Sequence, residues 1–302
     1  MSRIEEALKK ASKMRGQGNP VEAPVTRATG MSQPIAQVSQ PLAAVHSHPS
    51  GTSDTPSKVI PQEVVDRVSG QHMLVSMNDI VSPAAEEFRK LKQSLVRITK
   101  KGGFHNTILV TSGTVGEGKS VTSTNLAISL AQEFDHTVLL VDADLRRPTC
   151  HNLLCLENEY GLSDCLMEGV DISKGMIQTG IGKLSFLPAG TPMANPGEFL
   201  ASQRMAAMLK EMKERYSDRY VIIDTPPILP FAESRILARL ADMVVLVVKE
   251  GCLSKYELGE TMEALSGANL AGAVYSQASQ SASSNRFSGY GKNQYYYGYT
   301  DR

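Results

Sequence analysis

Apolar residues recur along this chain in two alternating patterns, short unbroken runs and longer stripes at helical spacing. The unbroken runs cover residues 107–110, 137–142, 184–187, 220–224, 241–249 and 270–275. Runs this short, dominated by Val, Ile and Leu, predict strands buried on both faces. Helical spacing predicts helices over 121–134, 196–216 and 254–266, with Ser254 capping the last. The second of these carries Phe199, Leu200, Met205, Met208, Leu209 and Met212 on its apolar side, the methionines as core fillers. Residues 161–169 read as a short helix and turn. Alternating strands and helices with Gly-rich turns predict an α/β fold, a mainly parallel sheet covered by helices on both faces.

The stretch before the first strand reads less clearly. Residues 62–79 suit a helix and a short strand. Ser82 reads as an N-cap with Pro83 at the first helical position. Phe88, Leu91, Leu95 and Ile98 follow at helical spacing, a stripe expected to pack on the sheet. Glu86, Arg89 and Lys92 lie three apart and share one side of that helix. By spacing alone they form a solvated charged face.

Chemistry enters with the glycines. Gly113-Thr114-Val115-Gly116-Glu117-Gly118-Lys119-Ser120, followed by Val121, fits the phosphate-loop pattern, and it lies between a predicted strand and a predicted helix. Glycines let the backbone turn and approach an anion closely, and the helix start aims its positive end there. This makes the fold a P-loop NTPase. Lys119 is expected to reach the β- and γ-phosphates and Ser120 to ligate Mg²⁺. Asp142 and Asp144 follow one predicted strand and Asp224 ends another. Parallel sheets bind ligands outside the carboxyl ends of their strands, so all these residues should meet at one edge. Few carboxylates beside phosphates suit Mg²⁺.

The formal net charge is zero, which gives no electrostatic footprint for nucleic acid. Four cysteines form no Cys-x-x-Cys pair, which suits a reducing cytoplasm rather than a disulfide or zinc framework. No apolar run reaches membrane-spanning length and no signal peptide is visible, so a membrane role is expected to come through a partner or surface contact. Residues 1–15 combine a Ser2/Glu5 capping box, Glu5/Lys9 and Glu6/Lys10 pairs and an Ile4, Leu8, Ala11 stripe. They read as a docking helix or a fraying terminal one. Residues 16–62 hold seven of the fifteen prolines and no aromatic residue, and read as a flexible linker. His46 and His48 within it read as a solvated loop pair. A compact domain over 63–278 and a Ser-, Asn- and Gly-rich tail over 279–302 complete the expected organisation. Tyr290, Tyr295, Tyr296, Tyr297 and Tyr299, half of the ten tyrosines, fall in that tail.

Several spaced motifs resemble the bacterial tyrosine kinases, P-loop autokinases of exopolysaccharide and capsule export. The run from Leu139 to Pro148 is similar to their second Walker motif. Ser112 to Ser120 is similar to the first, with Val115 where proline is usual. Val221-Ile-Ile-Asp224-Thr-Pro-Pro matches the third. Leu187-Pro-Ala-Gly190, Asn195 to Leu200 and Glu86-x-x-Arg89-x-x-Lys92 also resemble family segments, the last with lysine in place of arginine. The resemblance covers about residues 80–302 and implies an ATP- and Mg²⁺-dependent autokinase. It makes the tail tyrosines phosphoacceptors and Glu86, Arg89 and Lys92 a contact within a homo-oligomeric ring. Its catalytic set is Lys119, Asp142 and Asp144, with Ser120, Asp142 and Asp224 toward the metal. Asp142 or Asp144 takes the tyrosine proton, with Asp142 favoured. Arg146 and Arg147 would hold phosphate or a neighbouring subunit, or form a solvated pair. The implied activator is a separate membrane chain-length regulator, a polysaccharide co-polymerase, which would recruit the cytoplasmic kinase to the inner face of the membrane. The alternatives are a partitioning-type ATPase, which usually carries an additional early loop lysine absent here, and a non-catalytic ATP-binding regulator.

Overall fold

The structure, a computed structural model, describes residues 62–100, 104–193, 195–216 and 218–279. The expected N-terminal helix, the linker up to residue 61 and the tail tyrosines lie outside the described residues. The described residues begin with α1 (Gln62–Ser69) and the one-turn α2 (Val75–Asn78), where a helix and a strand were expected. Asn78 Nδ2 donates to the carbonyls of Val68 and Gln71, 3.0 and 2.8 Å away, and folds this stretch back on itself. Leu74 is fully buried in the turn between.

Helix α3 (Pro83–Thr99) starts as expected, with Ser82 Oγ accepting from the Ala85 amide and proline in the first turn. Its stripe packs chiefly on the next helix rather than on the sheet, with Leu95 buried and Leu91 and Ile98 partly so. At its end the Thr99 hydroxyl lies 2.9 Å from the Tyr220 hydroxyl of a strand.

Strands joined mainly through helices make up the core. In order come β1 (Thr107–Ser112), α4 (Lys119–Ala131), β2 (Thr137–Asp142), α5 (Cys150–Leu153), α6 (Leu162–Glu168), β3 (Ile177–Gln178) and β4 (Leu184–Leu187). Then follow α7 (Pro196–Leu200), α8 (Gln203–Glu214), β5 (Arg219–Asp224), α9 (Ala232–Leu240), β6 (Met243–Lys249), α10 (Lys255–Ala264) and β7 (Leu270–Ser276). The sheet order is β3-β4-β2-β5-β1-β6-β7, parallel except for β3 against β4. Strands β1 and β5 are buried along their whole length. Successive side chains point to opposite faces. Ile108, Val110, Leu140 and Ile222 pack with Leu126, Ile128 and Leu130 of α4. Leu109, Leu139, Val221 and Ile223 pack on the other face with Met205, Met208, Leu209 and Met212 of α8. Both faces are therefore covered, as the unbroken apolar runs require.

The single helix expected over 196–216 is two. Ser202 breaks it: its hydroxyl donates to the Phe199 carbonyl at 2.6 Å and accepts from the Met205 amide at 3.2 Å, ending α7 and capping α8. Helix α9, not anticipated from the sequence, is held by the Ser234 hydroxyl donating to the Pro226 carbonyl at 2.8 Å. Gly161, before α6, presses on the next loop so closely that a Cβ there would lie 2.1 Å from the Pro188 carbonyl oxygen. Among the described residues no helix is long and apolar enough to cross a membrane.

Candidate active site

Register builds the site. In the β2–β5 ladder Asp142 stands opposite Asp224, and in the β1–β5 ladder Val110 stands opposite Asp224. The chain leaving β1 therefore starts its glycine loop beside both aspartates. Gly116 and Gly118 adopt φ of +85° and +90°, a left-handed conformation that glycine takes without steric penalty. The first amides of a helix have no partner within it. Among the described residues, the N–H groups of Gly116, Gly118, Lys119 and Ser120 meet no protein acceptor. A cradle of free amides at a helix start is what a phosphate fits.

Lys119 lies among carboxylates, its Nζ 2.7 Å from Asp144 Oδ2 and 3.5 Å from Asp224 Oδ2. Although burial opposes the charged ammonium, Asp224 and Asp144 win and hold its pKa above the ordinary lysine value. Ser120 Oγ donates to Asp224 Oδ2 at 2.6 Å. Asp142 accepts from the amides of Asp144, Thr149 and Cys150 at 3.1–3.2 Å. Asp144 Oδ1 accepts from the Arg147 amide at 3.0 Å.

Asp142 and Asp224 are fully buried. Burial, then repulsion from Asp224, pushes the Asp142 carboxyl up to about 8. Burial also raises Asp224, against the pull of Lys119. Two buried carboxylates short of positive charge fit a divalent cation, and the adjoining Ser120 hydroxyl adds a hard oxygen ligand. The residues present thus fit both a phosphate group and Mg²⁺.

Lys119, Ser120, Asp142, Asp144 and Asp224 are brought together as the sequence implied. Two neighbours were not foreseen. Ser123 donates to Asp224 Oδ1 at 3.1 Å, and the buried Cys150 thiol donates to Asp224 Oδ2 at 3.5 Å. Ser123 lies one helical turn beyond Ser120, a spacing that could have indicated it. Cys150 carries no such signal. The buried Glu117 side chain turns into the protein, whereas Val115 and Gly116 are exposed. Arg146 is engaged within the chain, its Nε 2.6 Å from the buried Glu233 and its guanidinium 4.5 Å from the Phe231 ring centre. Arg147 is exposed. On α3, Arg89 pairs with Glu86 at 2.5 Å and donates to the Ile80 carbonyl at 2.6 Å. Lys92 instead reaches across to Glu133, 3.1 Å away at the end of α4.

A parallel sheet, a glycine loop running into a helix and acidic strand ends define a P-loop nucleotide-binding protein. Residues 105–267 match a family model described as AAA domain. The chain is 34% identical over 195 residues to tyrosine-protein kinase YwqD of Bacillus subtilis (strain 168), which covers 65% of this chain and 81% of that protein. It is 29% identical over 219 residues to the putative tyrosine-protein kinase CapB of Staphylococcus aureus, covering 72% of this chain and 91% of CapB. The solved kinase domain of Escherichia coli tyrosine kinase ETK aligns with a TM-score of 0.62 at 31% identity, over 75% of this chain and 84% of that domain. The chain belongs to the bacterial tyrosine kinase family and is a protein-tyrosine kinase.

Proposed function

We propose that this kinase transfers the γ-phosphoryl group of ATP to its own tail tyrosines, Tyr290, Tyr295, Tyr296, Tyr297 and Tyr299, and thereby regulates exopolysaccharide polymerisation and export. The observation that carries the chemistry is the convergence of Lys119, Ser120, Asp142, Asp144 and Asp224 at one strand edge. Phosphoryl transfer needs chiefly positioning and charge neutralisation. The loop from Gly113 to Val121 holds the phosphates, and Lys119 exchanges its carboxylate partners for them. Ser120 and Asp224, with one of Asp142 and Asp144, would hold Mg²⁺, which would neutralise phosphate charge when bound. As the phenolic oxygen forms its bond to phosphorus, an aspartate takes the phenolic proton and ADP leaves. Asp142 is our choice for that base, with Asp144 then supporting the metal in its place.

The family resemblance supports the biological setting. The kinase acts in the cytoplasm at the inner face of the membrane, recruited and activated by a separate polysaccharide co-polymerase. Subunits join through the Glu86, Arg89 and Lys92 face, head to tail, which can close a ring. Lys92 is largely covered in its pair with Glu133, whereas the Glu86–Arg89 pair is exposed and is the part of this face open to a neighbour. Each tail phosphate adds about −1.5 to −2 charges, so phosphorylation drives subunits apart. The test is solution mass over time with ATP and Mg²⁺. Wild type should dissociate as it phosphorylates, and a variant with all five tail tyrosines changed to Phe should stay assembled. A Phe variant that dissociates equally fast refutes the regulatory reading.

A further inference from the structure

One side chain of the phosphate loop is turned away from the cradle of amides and into the protein. Glu117 is fully buried, between the exposed Gly116 and the part-exposed Gly118. Both of its carboxylate oxygens are used. Oε1 accepts from the Thr114 amide at 2.5 Å and the Thr114 hydroxyl at 3.1 Å, which closes the loop on itself. Oε2 accepts from the Lys249 amide at 3.1 Å, at the end of β6. A reciprocal bond runs back from the sheet, where the Ser276 hydroxyl donates to the Glu117 carbonyl at 2.6 Å. Lys249 and Ser276 are register partners on β6 and β7. One loop residue is thus clasped from both sides by a single cross-strand pair.

We propose that Glu117 is a positioning residue for nucleotide binding, which holds the phosphate loop in its binding shape by tying Thr114 to the ends of β6 and β7. A loop with three glycines has many conformations to lose when its amides converge on an anion. Affinity rises when that ordering is done beforehand. Glu117 fits this task because both oxygens face fixed backbone donors. Glutamine has nearly the same shape but one donor end. Whichever way its amide turns, an NH₂ group meets either the Thr114 or the Lys249 N–H, and one tie is lost.

The inference rests on the loop binding nucleotide, and the experiment separates the two. The full chain is titrated with a fluorescent ADP analogue, and kcat and KM for ATP are measured on the same preparations. Glu117→Gln should weaken ADP binding at least about tenfold, equivalent to about 1.4 kcal/mol, and raise KM for ATP. Turnover at saturating ATP should stay within about threefold of wild type, a split that general destabilisation does not produce. Ser276→Ala, which removes the returning bond alone, should weaken binding about threefold. If Glu117→Gln does not fold, Ser276→Ala decides. ADP affinity within the error of wild type in the folded variant overturns the inference, as does a fall in kcat at unchanged affinity. If wild type itself binds no ADP, the nucleotide reading falls and takes this inference with it.

Discussion

Asp142→Asn should make the nucleotide-free protein more stable while destroying its activity. Asp142 is fully buried opposite Asp224, and its folded-state pKa is about 8. An unfolded aspartate titrates near 4. The native state therefore binds more protons than the unfolded state between about pH 4 and pH 8. Stability from this group is present in acid and is lost as pH rises through the folded value. A shift of this size is on the order of 5 kcal/mol at the alkaline end. Asparagine removes that penalty but keeps the shape. Its oxygen can still accept from Thr149 and Cys150, while its NH₂ faces the Asp144 amide, at a cost of about 1–3 kcal/mol. The net gain is about 2–4 kcal/mol at pH 8, a rise in Tm of roughly 5–10 °C. At pH 5 only about 1.4 kcal/mol of the penalty remains, which the lost hydrogen bond offsets, so the advantage should vanish there. Thermal unfolding in EDTA between pH 5 and pH 8.5 measures both arms. A variant no more stable than wild type at pH 8, or one whose advantage grows toward acid, refutes the reasoning.

Other consequences are more local. Asn125 is buried and joins α4 to the N-terminal helices, accepting from the Ser76 amide at 2.9 Å and donating to the Met73 carbonyl at 2.8 Å. Asn125→Ala should cost about 2–4 kcal/mol, and hydrogen exchange should show residues 62–79 opening before the sheet. Gly161→Ala should cost more than about 3 kcal/mol or abolish folding, because its Cβ cannot coexist with the Pro188 carbonyl 2.1 Å away; chemical denaturation reads this directly. Ser254→Ala removes a capping box in which Ser254 and Glu257 satisfy each other's amides, and should lower stability by about 1 kcal/mol in the same assay, without changing kinase activity. Arg89→Ala should weaken subunit assembly measured by solution mass while leaving the monomer's melting temperature within about 2 °C, since its pair with Glu86 is exposed.

Much of the catalytic edge was legible because parallel strands announce themselves twice. Their apolar runs are unbroken, and their last residues carry the chemistry. The strands ending at Asp142 and Asp224 could thus be aligned without knowing the sheet order. Two-residue β3 has too few residues to show a period, and α5 is a single turn. Helix α9 was missed because its start follows Pro226-Pro227, which reads as loop. Ser202 shows a different limit. It has the same N-cap chemistry as Ser82 and Ser254, but lies inside a longer apolar stripe that hides the break. Side-chain direction was the least accessible property. Glu117 falls within a motif whose backbone binds phosphate, and nothing in the motif says that its carboxylate faces inward. Lys92 has the spacing of a surface residue, and its pairing with Glu133 depends on how α3 lies across α4.

Incubation of the full chain with labelled ATP and Mg²⁺, followed by mass-spectrometric mapping of phosphate, tests the central claim most directly, with Lys119→Met alongside. Lys119 is the cation nearest Asp144 and Asp224 and the one expected to hold the phosphates. The account predicts phosphotyrosine at Tyr290, Tyr295, Tyr296, Tyr297 or Tyr299 in wild type. It predicts none in Lys119→Met, although circular dichroism shows the variant folded. Phosphate that maps mainly outside the tail, or equal labelling of the folded Lys119→Met protein, would contradict it.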